Sequence, residues 1–246
     1  MVRFLLKIFF IFFILFVFPL TFYGQKKVYA EVEVKKISNG KLMTVKKEIY
    51  YNANGKMIVR FTHPEESYLI TNIFGEAKVY NPKVNEVMLV NDDFFSSKSE
   101  LLYYFLSNKV DDLGLKSLGY SLHGTKTEGT NIVRTYLPDN PKSNFSKVEM
   151  VHENHLPIYC AYYNTKNKIT QKIYYSDYQN VSSFFFPSRI TEISYIEKDS
   201  IISRMIYSNI KIDNKATSPN FDFTIPSNAK IVQDKNMLMP KRPAKK

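Results

Sequence analysis

Residues 28–35 alternate without a break. Val28, Ala30, Val32 and Val34 fall on one side, and Tyr29, Glu31, Glu33 and Lys35 on the other. A period of two is the pattern of a half-buried β-strand, because successive side chains point to opposite faces of a sheet. The same texture returns repeatedly, so the chain is committed to a sheet early and stays with it. Asn39-Gly40 and Asn54-Gly55 each suit a two-residue type I′ turn, where both central residues take positive φ, and they predict two consecutive hairpins. Met57, Val59 and Phe61 alternate with Ile58, Arg60 and Thr62, and His63-Pro64 stops that strand because proline cannot donate to a ladder. Residues 68–73, 77–80 and 86–90 read as three further short strands, punctuated by Gly75 and Asn81-Pro82.

The pattern changes near Asp92. Ser97-Lys98-Ser99-Glu100 has the spacing of a capping box. Leu101 with Phe105, and Leu102 with Leu106, then pair at i, i+4, predicting an amphipathic helix of about ten residues. A second short helix is expected over 112–118, ended by Gly119. Strand texture resumes over 120–125, 131–137, 147–151, 158–164 and 168–175. Residues 189–196 and 200–212 read as the longest hairpin, turned at Glu197-Lys198-Asp199-Ser200, and 221–225 as a last short strand. Ile201, Met205 and Tyr207 oppose Ile202, Ile206, Ile210 and Ile212 by parity, so both faces of that strand are apolar. A sheet with one wet face does not need this; one face packs a core and the other lines a cavity or receives the helices. No linker or repeat interrupts 26–232, which reads as one domain: an antiparallel sheet broken by one helical excursion. So many strands in a meander tend to curl.

The first 24 residues differ. Arg3 and Lys7 precede an unbroken apolar run over 8–18, Pro19 breaks it, and Gly24-Gln25 offers a processing site. This is the order of a secretory signal peptide. The competing reading is an uncleaved anchor, whose apolar stretch falls short of the ~20 residues a spanning helix wants. Cleavage would remove two of 34 basic residues and none of 23 acids, leaving a net charge of +9. Gln25 stands where a bacterial lipoprotein would carry its lipid-bearing cysteine, so a soluble exported protein is expected. With Cys160 alone in the chain, no internal disulfide can form. Eighteen tyrosines and nineteen phenylalanines exclude intrinsic disorder of the whole. Export and the scattering of lysines over strands argue against nucleic acid as a partner. The end, Lys241-Arg242-Pro243-Ala244-Lys245-Lys246, closes a basic tail over 233–246 that reads as disordered and solvated.

Candidate chemistry is sparse. His152 and His155 lie three apart, but Pro157 and the flanking strand signals place them at a strand end and turn, without the partners a zinc site needs. Asp92-Asp93 and Asp111-Asp112 precede helices, where carboxylates meet the positive dipole end. Glu65-Glu66 reads as a solvated turn. Cys160, inside Ile158-Tyr159-Cys160-Ala161-Tyr162-Tyr163, reads as an inert buried thiol. No hydrolase, metalloprotease, dinucleotide or P-loop pattern is present. Nothing argues for an enzyme, for a metal or for another cofactor.

The segment Arg60-Phe61-Thr62-His63-Pro64-Glu65-Glu66-Ser67-Tyr68-Leu69-Ile70-Thr71-Asn72, with Ala77-Lys78-Val79-Tyr80-Asn81-Pro82 and Glu86-Val87 after it, resembles the LolA-type periplasmic carriers of outer-membrane lipoproteins. Phe221-Asp222-Phe223-Thr224-Ile225-Pro226 through Val232 resembles the closing segment of that family. The resemblance implies an incomplete antiparallel β-barrel with helices lying across its mouth as a lid. It also implies a carrier that shields lipoprotein acyl chains, takes them from inner-membrane release machinery and delivers them to an outer-membrane receptor. Met57, Val59, Phe61 and Leu69 align with cavity-facing positions of the family, and Leu101, Leu102 and Phe105 are the corresponding lid candidates. For all seven, ordinary core packing is the competing reading. The family usually begins with a helix and carries an Arg-Pro pair before the third strand, whose Arg helps latch the lid. Here Lys26-Lys27 runs straight into a strand and Ala53-Asn54 stand in the aligned positions, which puts that latch in doubt. The LolB-type receptors share the fold but are lipid-anchored, which Gln25 argues against. The rival reading is an envelope sensor or protein-interaction module that uses the same half-barrel without transport.

Overall fold

The structure, a computed structural model, describes residues 27–91, 95–182, 184–196 and 199–232. The expected signal peptide, Asp92-Asp93, part of the turn at 197–200 and the basic tail lie outside the described residues. Fourteen strands form one open sheet among them. The first six are β1 (Lys27–Ser38), β2 (Lys41–Asn52), β3 (Met57–His63), β4 (Ser67–Thr71), β5 (Glu76–Asn81) and β6 (Glu86–Asn91). A helical insertion containing α1 (Leu101–Leu106) follows. Then come β7 (Tyr120–Glu128), β8 (Asn131–Pro138), β9 (Phe145–Glu153), β10 (Leu156–Asn164), β11 (Ile169–Val181), β12 (Phe184–Ile196), β13 (Asp199–Ile212) and β14 (Lys230–Val232). Their order in the sheet is β14-β6-β5-β4-β3-β2-β1-β13-β12-β11-β10-β9-β8-β7. Every pairing is antiparallel except β14 with β6. The two meanders, β1–β6 and β7–β13, meet where β13 pairs with β1, and the outermost strands do not meet.

The sheet is curled. Met57 and Val59 on β3 share one apolar cluster with Val181 on β11 and Phe186 on β12. On a flat sheet β3 and β11, five strand spacings apart, would stand ~24 Å from each other. Bringing both against a single helical turn requires an incomplete barrel, with α1 on its inner face.

Of the two Asn-Gly turns, the first follows its sequence. Asn39 and Gly40 both take positive φ, and Ser38 pairs with Lys41, as a type I′ hairpin demands. Asn54-Gly55 differs: only Gly55 has positive φ. Gly55 N–H donates to Asn52 O at 2.8 Å and Asn52 N–H to Lys56 O at 2.9 Å. This is a three-residue loop, a type I turn closed by a left-handed glycine. A Cβ at Gly55 would lie 2.1 Å from Ile73 Cγ2, so the glycine is required for space as well as for φ.

Three other expectations are corrected. Residues 221–225 are not a strand. Pro219–Asp222 form a 3-10 turn, and the segment lies across the outer face, with Phe221 against Tyr50 and Phe223 stacked on Tyr68 at 4.1 Å. Residues 112–118 give only a 3-10 turn, Lys116–Leu118, ended by Gly119 in the left-handed region. Finally, Ile210 and Ile212 do not oppose Tyr207 but share its cluster. A β-bulge around Ser208-Asn209, with Asn209 at φ 51°, shifts the register against β1 and moves the later residues to the inner face.

Candidate functional site

The inner face is built by parity. Val28, Ala30 and Val32 on β1, Ile49 and Tyr51 on β2, and Met57 and Val59 on β3 are all buried in one cluster. Phe61 and Leu69, half-buried, pack against it, and Val59 pairs with Leu69 across β3 and β4. Leu102 and Phe105 of α1 are buried in the same cluster, and Leu101 and Leu106 flank it. Phe105 meets Phe186 edge to face at 5.1 Å. The seven residues singled out in the sequence are therefore brought together, four from the sheet and three from the helix facing them.

The helix is shorter than expected and starts differently. Ser97–Ser99 form a 3-10 turn and Glu100 is extended, so α1 begins at Leu101 without a side-chain cap. The capping box does not form because the Ser97 hydroxyl is engaged elsewhere. It is buried and donates to Gly55 O at 2.7 Å. The helix ends at Ser107, followed by Asn108 at φ 53° in the left-handed region that closes many helices.

What holds this insertion is polar and local. Ser97 N–H donates to Asn72 O at 3.0 Å, Ser96 Oγ to Ile73 O at 2.9 Å, and Thr71 Oγ1 to Phe95 O. Lys47 Nζ lies 3.7 Å from the Glu100 carboxylate, with both side chains largely shielded. Lys47 sits between Val32 and Phe61 in the β1–β2–β3 ladder, on the apolar face. The segment after α1 is pinned separately. His152, fully buried, has Nε2 at 3.1 Å from Val110 O, Tyr136 Oη donates to Asp111 O at 2.9 Å, and Arg134 Nη2 lies 3.2 Å from Asp111 Oδ1. A carbonyl can only accept, so His152 carries its proton on Nε2, and buried Nδ1 has no partner. Burial holds the His152 pKa below the usual 6.5, Arg134 pushes the same way, and Asp111 partly offsets them.

Other candidates resolve into structural roles. Asp112 accepts from Gly114 and Lys116 N–H at 3.1 and 3.2 Å, capping its turn as expected. Glu66 is exposed but not merely solvated: it accepts from Arg60 at 2.7 Å, which pulls its carboxyl pKa down. Cys160 is buried in the second inner cluster, where burial pushes its thiol up to about 12. His155 stands in the β9–β10 turn beside Asn154, both at positive φ. Among the described residues no group of three or more His, Cys, Asp or Glu could hold a metal ion. The phenols of Tyr51 and Tyr207 at the inner face are kept neutral by burial. The face offers apolar contact and shape rather than reacting groups. Sequence reasoning missed Lys47, whose signal was a gap: it interrupts the apolar parity of Met43, Val45 and Ile49. It also missed the pinning role of His152, for which the sequence held no signal.

A curved, open antiparallel sheet whose inner apolar face is covered by a short helical insertion defines a class of incomplete barrels. In this class the chain has a LolA-like fold. It is similar to a LolA superfamily protein from Nitrosomonas europaea, with a TM-score of 0.55 at 13% identity, covering 82% of this chain and 91% of that one. A DUF1329 family protein from Desulfovibrio piger gives 0.54 at 14% identity, over 81% and 90%. A domain assigned to outer membrane lipoprotein sorting from Vibrio parahaemolyticus gives 0.52 at 10% identity, over 80% and 89%. No family model and no curated protein matches the sequence.

Proposed function

We propose that this protein is a periplasmic carrier that shields the acyl chains of a lipoprotein, or of another lipid, for transfer toward the outer membrane. In this reading residues 1–24 are a cleaved export signal, 25–232 the carrier domain and 233–246 a basic tail. The observation that carries it is that α1, a helix of six residues, is the element closing the inner apolar face. Leu102 and Phe105 supply the contact, and a few polar bonds over residues 95–100 and 110–111 fasten the segments on either side. The solved neighbours of LolA type support a carrying or binding role over an enzymatic one.

The mechanism is an exchange of apolar contacts. Lifting α1 uncovers side chains worth ~1.5–3 kcal/mol each when buried. An acyl chain of about fifteen methylenes gains ~12 kcal/mol by leaving water. A chain entering beneath the helix therefore outweighs the loss of two or three lid side chains. Met57, Val59, Phe61 and Leu69 would then meet the cargo, with inner-membrane release machinery loading it and an outer-membrane receptor accepting it.

Phe61→Glu tests this. In a sealed core a carboxylate at this half-buried position, with only Lys47 across from it on β2, destabilises the domain. In an openable hollow the charge reaches water, the thermal melt is retained and a fluorescent fatty-acyl probe binds more weakly. A folded variant with unchanged probe affinity would count against the hollow.

A further inference from the structure

The strand ends opposite α1 carry a second apolar feature, independent of any cargo. At that end β2, β1, β13 and β12 run past their neighbours. β3 begins to pair with β2 only at Lys46, so Lys41–Val45 has a partner on one side alone among the described residues. The four strands end in two hairpin tips, near 38–41 and 196–199. Around them Ile37 is 46% exposed, Leu42 61%, Met43 61% and Ile196 53%. Scattered exposed hydrophobics are ordinary, but four large aliphatic side chains at one projecting end are not.

Their placement decides what covers them. Ile37 has the parity opposite to Val28, Ala30 and Val32, so it faces outward. Leu42 and Ile202 pair with it and share that face. Met43 pairs with Lys36 and lies on the inner parity. A flat protein partner docking on one face would leave the other exposed. A medium that surrounds the tips covers both.

The charge around the tips fixes the chemistry of that medium. Residues 33–47 hold five lysines and one glutamate. Glu33 holds Lys35 at 3.1 Å and Lys46 at 3.9 Å. Lys36, Lys41 and Arg204 are exposed and have no acidic partner among the described residues. The other tip is acidic in sequence, with Glu197 and Asp199 flanking Lys198; Asp199 accepts from its neighbour Ser200 N–H at 2.7 Å. The aliphatic tip at 37–43, with Lys36, Lys41 and Arg204 free around it, matches the apolar interior and anionic headgroups of a phospholipid surface.

We propose that this four-stranded lobe docks on anionic membrane surfaces through its 37–43 tip, inserting Ile37, Leu42 and Met43 below the headgroups while Lys36, Lys41 and Arg204 hold the phosphates.

The chain contains no tryptophan, so Leu42→Trp in the full chain gives a fluorophore that reports this tip alone, whatever the N-terminus does. With vesicles of phosphatidylcholine and about 30% phosphatidylglycerol, emission should shift to the blue and be quenched by brominated acyl chains. Phe74→Trp, at the opposite strand ends, should show neither change. Reversing Lys36, Lys41 and Arg204 to Glu in the Leu42→Trp background should weaken vesicle binding roughly 100-fold. Unchanged emission at position 42 with vesicles, or equal quenching at position 74, would overturn the proposal. So would equal binding to pure phosphatidylcholine, or a concentration-dependent blue shift without vesicles, which would give the lobe to a second copy of the chain.

Discussion

The two faces of the sheet around β2–β4 are both covered, but by different means. Outside, residues 216–229 lie over Tyr50, Ile58, Tyr68 and Tyr80. Phe223 stacks on Tyr68, Phe221 meets Tyr50, Asn220 Nδ2 donates to Tyr50 Oη at 2.9 Å, and the chain continues into β14, which pairs with β6. Inside, α1 contributes six residues, an uncapped start and a largely apolar contact, with its polar fastenings in the flanking segments, at 95–100 before it and at 110–111 after it. Similar burial therefore gives two kinds of cover. The outer one is woven into the sheet ladder and opens only with it. The inner one can leave without breaking a strand pairing. In the proposed carrier, rigidity on one face would let the other open while the fold persists.

That contrast is breakable by substitution. Phe221→Ala should give the largest effect, a loss of ~3–5 kcal/mol in chemical unfolding with acyl-probe affinity unchanged. An altered affinity would mean that the two faces are not independent. Leu102→Ala should cost less, about 2 kcal/mol, because a six-residue helix relaxes over the gap it leaves. The same change, by populating the open state, should tighten apparent probe binding roughly tenfold.

The segment after α1 adds a pH term. His152 is buried and neutral, with its pKa held below 6.5, and faces Val110, Arg134, Asp111 and His155. The unfolded chain takes up this proton first, so the stability this group contributes is present above about pH 6.5 and is lost as pH falls below it. Melts from pH 7.5 to 5 should show this decline, and His152→Gln should flatten it. A decline that persists in the variant would assign it to another group. The carboxyls of Glu66 and Glu149, both lowered by their cationic and phenolic partners, act only at more acid pH. Lys47→Ala should have the smallest effect on stability, about 1 kcal/mol or less, as a largely shielded pair of modest geometry. Probe uptake measured by stopped flow should nonetheless be faster.

Much of this was legible in the alternation. Val28 to Val34, Met57 to Phe61 and their partners fall on the predicted faces because period two leaves a strand no choice once one face is buried. Leu102 and Phe105 followed from the i, i+4 pairs Leu102–Leu106 and Leu101–Phe105. What stayed hidden depends on contacts remote in sequence. Ser97 reads as a cap until the Gly55 carbonyl is placed beside it, forty-two residues away. Residues 221–225 alternate like a strand, yet their aromatics are taken by Tyr50 and Tyr68 before they can pair. The bulge at Asn209 inverts the parity of Ile210 and Ile212 without leaving a glycine or proline to announce it. At Ala53-Asn54 the aligned Arg-Pro pair is absent; nearby, Gly55 lends its carbonyl to Ser97, and Lys47 Nζ lies 3.7 Å from the Glu100 carboxylate.

The central claim is that the inner face opens to hold acyl chains. Native mass spectrometry of the protein purified from its own envelope tests it most directly. The account predicts a bound population heavier by a diacyl lipid or a lipoprotein, reduced in Phe61→Glu. The protein mass alone, or a stoichiometric protein partner without lipid, would contradict it.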